Sequence, residues 1–186
     1  MAIVEDYQKY RWFFTSSGTL VIGGKSDSQN EEVVKEARAN EVVLHTKSPG
    51  SPFCVIKEFI EETAEEIKEA AVFCACFSQA WKKGKGAIEV HIFTKGQINK
   101  SSSMKKGTFG INGNIKKIKV EPKLYLDFQE GKLRAVPFET DVAIIKPGKL
   151  KKEEAARIIS KKLEVPMEEV MSALPADGID IKWIQD

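Results

Sequence analysis

The sequence lacks several features by which whole classes of protein are recognised. It contains no run of 18 apolar residues, so no membrane-spanning helix is predicted. Acidic Glu5 and Asp6 precede any apolar stretch, so no secretory signal is visible. The three cysteines are an odd number without Cys-x-x-Cys spacing, which excludes a disulfide framework. We therefore expect a cytoplasmic protein without membrane contact, bound metal or cofactor.

Histidine and cysteine, two residue types common in catalytic and metal sites, are also few, with two and three copies. Cys74 and Cys76 lie two positions apart in a predicted helix and point to different sides, so they are poorly placed to share one ion. Together with Cys54 we interpret them as buried thiols. His91 alternates with apolar residues and is expected on the outer, solvated side of a strand. His45 ends a predicted strand just before a Pro-Gly loop, where a ligand contact and a core position both fit the pattern.

A glycine pair before a helix is the most informative unit near the N-terminus. Residues 11–23 have the pattern of a β-hairpin turning at Gly18, followed by Gly23-Gly24-Lys25 and a helix over about 28–39. Unpaired amides at such a helix N-terminus, together with Lys25, form an anion site. Ordinary turn chemistry accounts for the same glycines. A P-loop is excluded, because its first glycine would fall at Thr19.

The net charge of +2 hides a strong asymmetry along the chain. Residues 82–123 contain eleven lysines against Glu89 and Glu121, a local charge of about +9, whereas the first 81 and the last 63 residues come to about −5 and −2. Such an excess is typical of a polyanion-binding surface. Lysines also protect a sheet edge from aggregation, and composition leaves both interpretations open. The eleven are Lys82, Lys83, Lys85, Lys95, Lys100, Lys105, Lys106, Lys116, Lys117, Lys119 and Lys123.

The hydrophobic pattern predicts an α+β fold. At 186 residues with an apolar fraction of 42%, the chain can form a domain over 1–148 and a C-terminal extension over 149–186. The domain is expected to be a largely antiparallel mixed sheet packed on one long helix over 63–81, and the extension a small helical appendage. A solvated acidic face is expected from Glu61, Glu62, Glu65, Glu66 and Glu69. Strands are predicted over 41–46, 53–57, 87–93, 115–120, 142–145 and 179–184, a hairpin over 124–138, and C-terminal helices over 152–163 and 167–174.

Several motifs, in this order and spacing, resemble one known family. The first is Trp12-Phe13-x-Thr15-Ser16-x-Gly18-x-Leu20-Val21-Ile22-Gly23-Gly24-Lys25-x-x-x-Gln29-Asn30-Glu31. The second is Leu44-His45-x-x-x-Pro49-Gly50-Ser51-Pro52-x-x-Val55-Ile56-Lys57, followed by Ser78-Gln79-Ala80-Trp81. Gln97-Ile98-Asn99-Lys100 and Lys105-Lys106-Gly107-Thr108-Phe109 follow later. Over roughly residues 8–126 the chain is similar to the NFACT-R domain.

This resemblance implies a nucleic-acid-binding module. NFACT-R domains belong to large ribosome-associated quality-control factors that bind stalled large subunits and tRNA, and the domain is regarded as RNA-binding. The other regions of those factors do not fit in 186 residues, so we expect a stand-alone form that does not extend nascent chains. A related protein is associated with DNA sensing, so the resemblance leaves DNA open as a ligand.

We therefore predict a non-catalytic module that binds tRNA or ribosomal RNA, with the large ribosomal subunit as a possible partner. Lysines would neutralise phosphates, and amide or imidazole groups would bind a base or ribose. The predicted contact residues are Lys25, Gln29, Asn30, His45, Lys47, Ser51, Lys57, Lys95, Lys100, Lys105 and Lys106.

Two other functions are compatible with the sequence. An RNA-modifying or RNA-processing enzyme would use the His45 loop, and would bring Lys25, Gln29, Asn30 and His45 together in one deep pocket. A protein-interaction adaptor would dock through the helices of residues 150–186, and would leave an apolar face of that pair exposed.

Overall fold

A computed structural model describes residues 5–57, 63–84 and 86–185 of the protein. Glu61, Glu62 and Lys85, which entered the predictions above, lie outside these ranges. Within the described ranges, none of the helices has the length and apolar character needed to cross a membrane.

An antiparallel six-stranded sheet forms the N-terminal two thirds of the structure. Its order is β1-β2-β4-β3-β5-β8, and every neighbouring pair is antiparallel. The order differs from the chain order because β4 inserts between β2 and β3. The strands are β1 (Arg11–Phe14), β2 (Leu20–Gly23), β3 (Val42–Thr46), β4 (Cys54–Ile56), β5 (Ile88–Thr94) and β8 (Lys116–Val120).

The two faces of this sheet are covered by different helices, because side chains alternate along each strand. Leu44 and Ile56 join the buried core formed with α2 (Ala64–Cys76). Val43 and Val55, one position away, pack on the opposite side with residues of α1 (Asp27–Glu36). A short pair of strands, β6 (Ile98–Asn99) and β7 (Gly110–Ile111), covers that second side next to α1. We call it the α1 side.

A second antiparallel sheet follows, in the order β10-β9-β11-β12. Its strands are β9 (Leu124–Gln129), β10 (Lys132–Val136), β11 (Ala143–Leu150) and β12 (Ile179–Trp183), and α3 (Lys152–Leu163) and α4 (Met167–Ala173) lie between the last two in sequence. Residues of α2, this sheet, α3 and α4 share one buried cluster. The chain thus has the predicted α+β class with antiparallel strand pairing, but the described residues form two large sheets instead of the single sheet that was expected.

Several boundaries differ from the expected ones for local reasons. The long helix ends at Cys76 instead of residue 81, because the Ser78 hydroxyl donates to the Ala75 carbonyl at 2.6 Å and accepts from the Ala80 amide, which starts a separate 3₁₀ turn. The strand expected to end before Pro147-Gly148 continues to Leu150, because the pairing register shifts there in a bulge. The expected boundary between residues 148 and 149 falls within this strand, and the division into two domains stays a prediction.

The C-terminal helices place most of their apolar residues in the core. Ala155, Ala156 and Ile159 of α3 are buried together with Val170 of α4. Ile158, next to the buried Ile159, is 44% exposed. The structure therefore leaves an isolated apolar side chain on α3, whereas an adaptor was expected to leave an apolar face.

The acidic face expected on α2 is partly wrong. Glu66 and Glu69 are buried, because the β1–β2 turn folds over them. The Glu66 carboxylate accepts hydrogen bonds from the hydroxyls of Thr15, Ser17 and Thr19, and Glu69 accepts from the amide and hydroxyl of Ser16. Polar residues of the turn and the carboxylates of α2 thus satisfy one another and fix the hairpin on the helix.

Replacing the Glu66 carboxylate should destabilise the protein. Glu66→Gln is expected to lower the free energy of unfolding by about 1–2 kcal/mol at neutral pH, because hydrogen bonds to an ionised acceptor are stronger than those to an amide. Glu65→Gln, on the exposed side of the same helix turn, is the matched control and should cost almost nothing. Urea denaturation measures both; equal effects of the two substitutions would contradict the role of Glu66.

The same bonds predict a pH dependence. Burial alone would raise the pKa of Glu66, but the hydroxyls of Ser17, Thr19 and Thr15 lower it below the ordinary 4.5. Its stabilising contribution is therefore present above 4.5 and lost as the pH falls through the lowered value. The difference in unfolding free energy between wild type and Glu66→Gln should shrink between neutral pH and about pH 3. A constant difference across this range would contradict the assignment.

Candidate nucleic-acid interface

A cleft of about 460 Å³ opens on the α1 side of the six-stranded sheet. The sheet forms its floor, and the start of α1 forms a wall together with the segment 105–111, which contacts it. A turn after β3 closes one end. The lining residues are Asp27, Asn30, His45, Thr46, Lys47, Pro49, Gly50, Ser51, Phe53, His91, Phe93, Lys105, Lys106, Gly107, Thr108, Phe109 and Ile111.

Three aromatic rings run continuously through the cleft. Phe53 lies in the centre, with its ring centroid 4.3 Å from that of His45 and 5.0 Å from that of Phe109. Phe53 itself is buried, whereas His45 and Phe109 are half-buried. Large apolar rings are therefore accessible at the bottom of a cleft whose rim is polar.

The ring of His45 is held in one tautomer. Its Nδ1 lies 2.7 Å from the Thr46 carbonyl oxygen, which can only accept, so Nδ1 carries the proton. Burial lowers the pKa of His45, and the neighbouring His91 lowers it further. The hydrogen bond to the Thr46 carbonyl raises this pKa but does not outweigh burial, so the ring is neutral at pH 7. Nε2 is then a hydrogen-bond acceptor without a partner among the described residues.

His91 lies directly opposite His45 on the neighbouring strand, since the two are paired in the β3–β5 register. It was expected at an unremarkable solvated position, but it lines the cleft instead. Its Nε2 lies 2.9 Å from a carboxylate oxygen of Glu89 on the same face of β5. The hydrogen bond to His91 lowers the pKa of Glu89, as do the charges of Lys47 and Lys117.

Exposed lysines surround the cleft. Lys47 follows β3 at one end, and Lys105 and Lys106 lie on the wall formed by the segment 105–111. Lys117 is paired with His91 in the β5–β8 register and therefore projects from the same side of the sheet. None of these four amino groups forms an ion pair with a carboxylate among the described residues, so they are available to an anion.

The wall of residues 105–111 is fixed to α1 by a set of hydrogen bonds near the protein surface. Glu31 accepts from the Lys100 ammonium at 2.8 Å and from the Gly107 amide at 2.8 Å. Lys100 also donates to the carbonyls of Lys105 and Thr108 at 2.7 and 2.9 Å, so its three N–H groups all have acceptors. The hydrogen bond from Lys100 lowers the pKa of Glu31, and the Gly107 amide adds to it.

Gly107 makes this attachment possible. Its φ angle is +74°, and a Cβ atom built on it would lie 2.9 Å from the side chain of Asp27 at the start of α1. A larger residue would therefore push the wall away from the helix.

Asn30 and Ser51, two of the predicted RNA contacts, line the cleft, but each has a hydrogen-bond partner within the protein. The Asn30 side-chain oxygen accepts from the Phe53 amide at 3.0 Å, and Ser51 accepts from the Thr46 amide at 3.0 Å. Both residues are buried, and they hold the main chain around Phe53 and the turn after β3 in position.

Other predicted contact residues lie outside the cleft. Lys57 is buried and paired with Glu41 at 2.6 Å, and Lys95 donates to the Val34 carbonyl at 2.6 Å. Gln29 binds the Lys25 amide and the Lys9 carbonyl. These interactions join parts of the fold to one another.

The Gly-Gly-Lys unit also lies outside the cleft. Ser26 caps α1 by accepting from the Gln29 amide. Gly24 is buried beneath Asn30. Only glycine fits at this position, since a Cβ atom there would lie 2.2 Å from the Asn30 side-chain oxygen. Burial lowers the pKa of Lys25, and the nearby charges of Arg11 and Arg134 lower it further. Of the four residues expected to converge in an enzyme site, His45 and Asn30 meet in the cleft, whereas Lys25 and Gln29 do not line it.

Sequence reasoning missed Phe53, His91, Phe109 and Lys117 as parts of this surface. The pairing of β3 with β5 brings His91 and Lys117 beside His45, and no local pattern announces that pairing. Phe109 belongs to the Lys105–Phe109 motif, and its position next to lysines was the available signal. Trp12 and Trp81, which belong to the motifs of the sequence, are both buried and so are not part of this surface.

The sequence model of one protein family, the NFACT protein RNA binding domain, matches residues 9–113. This range includes every residue that lines the cleft. The chain belongs to this family. The resemblance seen in the sequence is thereby confirmed.

Relatives in this family come from archaea and animals. The chain is 37% identical over 113 residues to the archaeal Rqc2 homolog aRqcH of Methanocaldococcus jannaschii, a match that covers 58% of this chain and 17% of that protein. It is 33% identical over 78 residues to the human ribosome quality control complex subunit NEMF, covering 40% of this chain and 7% of NEMF. The chain thus corresponds to a small part of the length of these relatives.

A solved structure shares the fold. The C-terminal part of the fibronectin/fibrinogen-binding protein from Streptococcus suis superposes with a TM-score of 0.56 at 24% identity. The match covers 61% of this chain and 45% of that chain.

Removing the Lys100 ammonium should loosen the wall of the cleft. In Lys100→Met, the Gly107 amide is expected to exchange its hydrogen severalfold faster, because Glu31 and two loop carbonyls lose their shared donor. Lys116→Met, on the exposed part of β8, is the matched control. Hydrogen exchange followed residue by residue measures both; unchanged protection at Gly107 would show that Lys100 does not hold this wall.

Proposed function

We propose that this protein is a non-catalytic RNA-binding module of ribosome quality control, and that it contacts RNA through the cleft on the α1 side. The observation that carries the proposal is the composition of that cleft, in which unpaired lysines surround an accessible aromatic floor. The family is described as an RNA-binding domain, and the cleft lies within the matched residues. Relatives named as ribosome quality control subunits supply the cellular setting.

The lysines would carry most of the affinity. Lys47, Lys105, Lys106 and Lys117 are exposed, and each can neutralise one phosphate and release its counterions. For single-stranded RNA the slope of log K against log salt is about −0.7 per phosphate, so four contacts predict a slope near −3. Binding through this face is therefore strong at low salt and weak at high salt.

The RNA is proposed to be tRNA or ribosomal RNA at the large subunit, in the cytoplasm. Both offer unpaired loops whose bases are accessible to an aromatic floor, which a regular duplex does not. Lys25, with Arg11 and Arg134 close to it, provides a further cationic point outside the cleft. We propose that it contacts the phosphate backbone of the same RNA, while Lys57, Lys95 and Lys100 act through the fold.

Reversing the cleft lysines tests the proposal. A variant with Lys47→Glu, Lys105→Glu and Lys106→Glu should bind tRNA and a structured ribosomal RNA fragment at least about tenfold more weakly. The salt slope should become shallower by about 2, because each of the three lost phosphate contacts contributes about 0.7. Binding is measured across a salt series, with duplex DNA as a third ligand.

The matched control carries the same change in net charge on the second sheet and α3, as Lys132→Glu, Lys149→Glu and Lys161→Glu. All three residues are exposed and lie outside the cleft. This control should keep most of the wild-type affinity. Failure of the wild type to bind any of these RNAs at low salt, or equal losses in both variants, would contradict the proposal.

A further inference from the structure

We infer that the cleft holds a single unstacked nucleotide of an RNA strand, with its base on the His45–Phe53–Phe109 rings and a hydrogen-bond donor of that nucleotide facing Nε2 of His45. This inference rests on the proposed function and specifies the ligand of the same site. It assigns separate tasks to the aromatic floor, the imidazole and the lysines.

The dimensions of the cleft fit one nucleotide. Its volume of about 460 Å³ lies within the range of roughly 300–1,000 Å³ typical of small-molecule sites. A duplex cannot offer a base to such a concavity, because its bases are stacked and paired inside the helix. The ligand that reaches the floor is therefore an extruded or single-stranded residue.

The floor has the chemistry of a stacking platform. His45 and Phe109 expose part of their rings next to the buried Phe53, whose plane makes an angle of 36° with His45 and 77° with Phe109. A base can therefore stack on one exposed ring and meet the other with its edge. Exposing aromatic rings to water is unfavourable in free energy. A nucleobase that stacks on these rings removes them from water. Such contacts are tolerant of base identity, because each base has a π face.

Nε2 of His45 provides a directional contact. It carries a lone pair, because the one proton of the neutral ring lies on Nδ1, which donates a hydrogen bond to the Thr46 carbonyl. Lysine ammonium groups and backbone amides can only donate hydrogen bonds, whereas Nε2 of His45 accepts one. It therefore binds an N–H or O–H group of the ligand. Two parts of a nucleotide can supply one: an N–H of the base, or the ribose 2′-hydroxyl, which DNA lacks.

The lysines flank the base instead of touching it. Lys47 follows β3 at one end of the cleft, and Lys105 and Lys106 lie on the wall that carries Phe109. Phosphates on the 5′ and 3′ sides of a nucleotide on the floor would thus each find a lysine. The wall is held in place by Lys100, Glu31 and Gly107, so the site is formed before the ligand arrives.

An RNA of one base tests the inference. A heptamer of abasic ribose phosphates with one central adenine is compared with the fully abasic heptamer, which carries the same charges. We expect the single adenine to increase affinity about tenfold, in line with base–aromatic stacking. The comparison is made on the wild-type protein and so does not depend on the folding of any variant. Equal affinities of the two heptamers would overturn the inference.

Two variants connect the effect to the floor. Phe109→Leu keeps the apolar contact but removes the ring, and should abolish most of the adenine effect. Phe128→Leu, an exposed phenylalanine on β9 outside the cleft, is the matched control and should retain it. Retention of the adenine effect in Phe109→Leu would overturn the assignment to this cleft.

A 2′-deoxy sugar at the central residue identifies the donor. If the 2′-hydroxyl faces His45, the deoxy sugar and the His45→Phe substitution should each weaken binding severalfold. The deoxy ligand should then bind the His45→Phe variant no more weakly than it binds the wild type. If a base N–H does so, His45→Phe should weaken binding of both sugars equally. An unchanged affinity in His45→Phe for both sugars would overturn the role of Nε2.

These outcomes are distinct from a failure of the proposed function. If only the inference fails, both heptamers bind equally, and binding still falls steeply with salt and in the lysine-reversed variant. If the proposed function fails, neither heptamer binds at low salt.

Discussion

The cleft depends on one carboxylate that joins two distant parts of the chain. Glu31, on α1, accepts from the Lys100 ammonium and from the Gly107 amide 76 residues further on. These bonds hold the 105–111 wall against the helix, while Gly107 allows the close approach to Asp27. With the wall in place, Phe109 contacts Phe53, and Lys105 and Lys106 line the cleft. A site built from loops and strand ends thereby gains a fixed geometry.

The lysines of the basic segment divide into two groups with opposite roles. Lys100 and Lys95 donate to acceptors within the protein, and Lys57, although far from that segment, is buried against Glu41. Lys105 and Lys106 are exposed, and no ion pair engages them among the described residues. Sequence composition counts all of these as one positive charge each. Only the first group stabilises the fold, and the second group is free to neutralise phosphates.

Much of the fold was predictable, because hydrophobic periodicity and turn residues act locally. The bounds of α3 match the prediction, and the β9–β10 hairpin turns at Glu130-Gly131, both with positive φ, as expected of a tight turn. The cleft was only half predictable. His45, Asn30, Lys47, Ser51, Lys105 and Lys106 were identified from motifs, whereas the part formed by His91 and Phe53 depends on the β3–β5 pairing and on ring packing. Burial of Glu66 likewise required knowing that the β1–β2 turn lies over α2.

The most direct test of this account is a map of the RNA contact surface in solution. Amide chemical shifts of the labelled protein are followed while a short single-stranded RNA is added. The account predicts that perturbations concentrate at residues 45–53, 91–93 and 105–111, around the aromatic floor and its lysine rim. Perturbations centred on the second sheet or on α3 and α4, with the cleft unchanged, would contradict it.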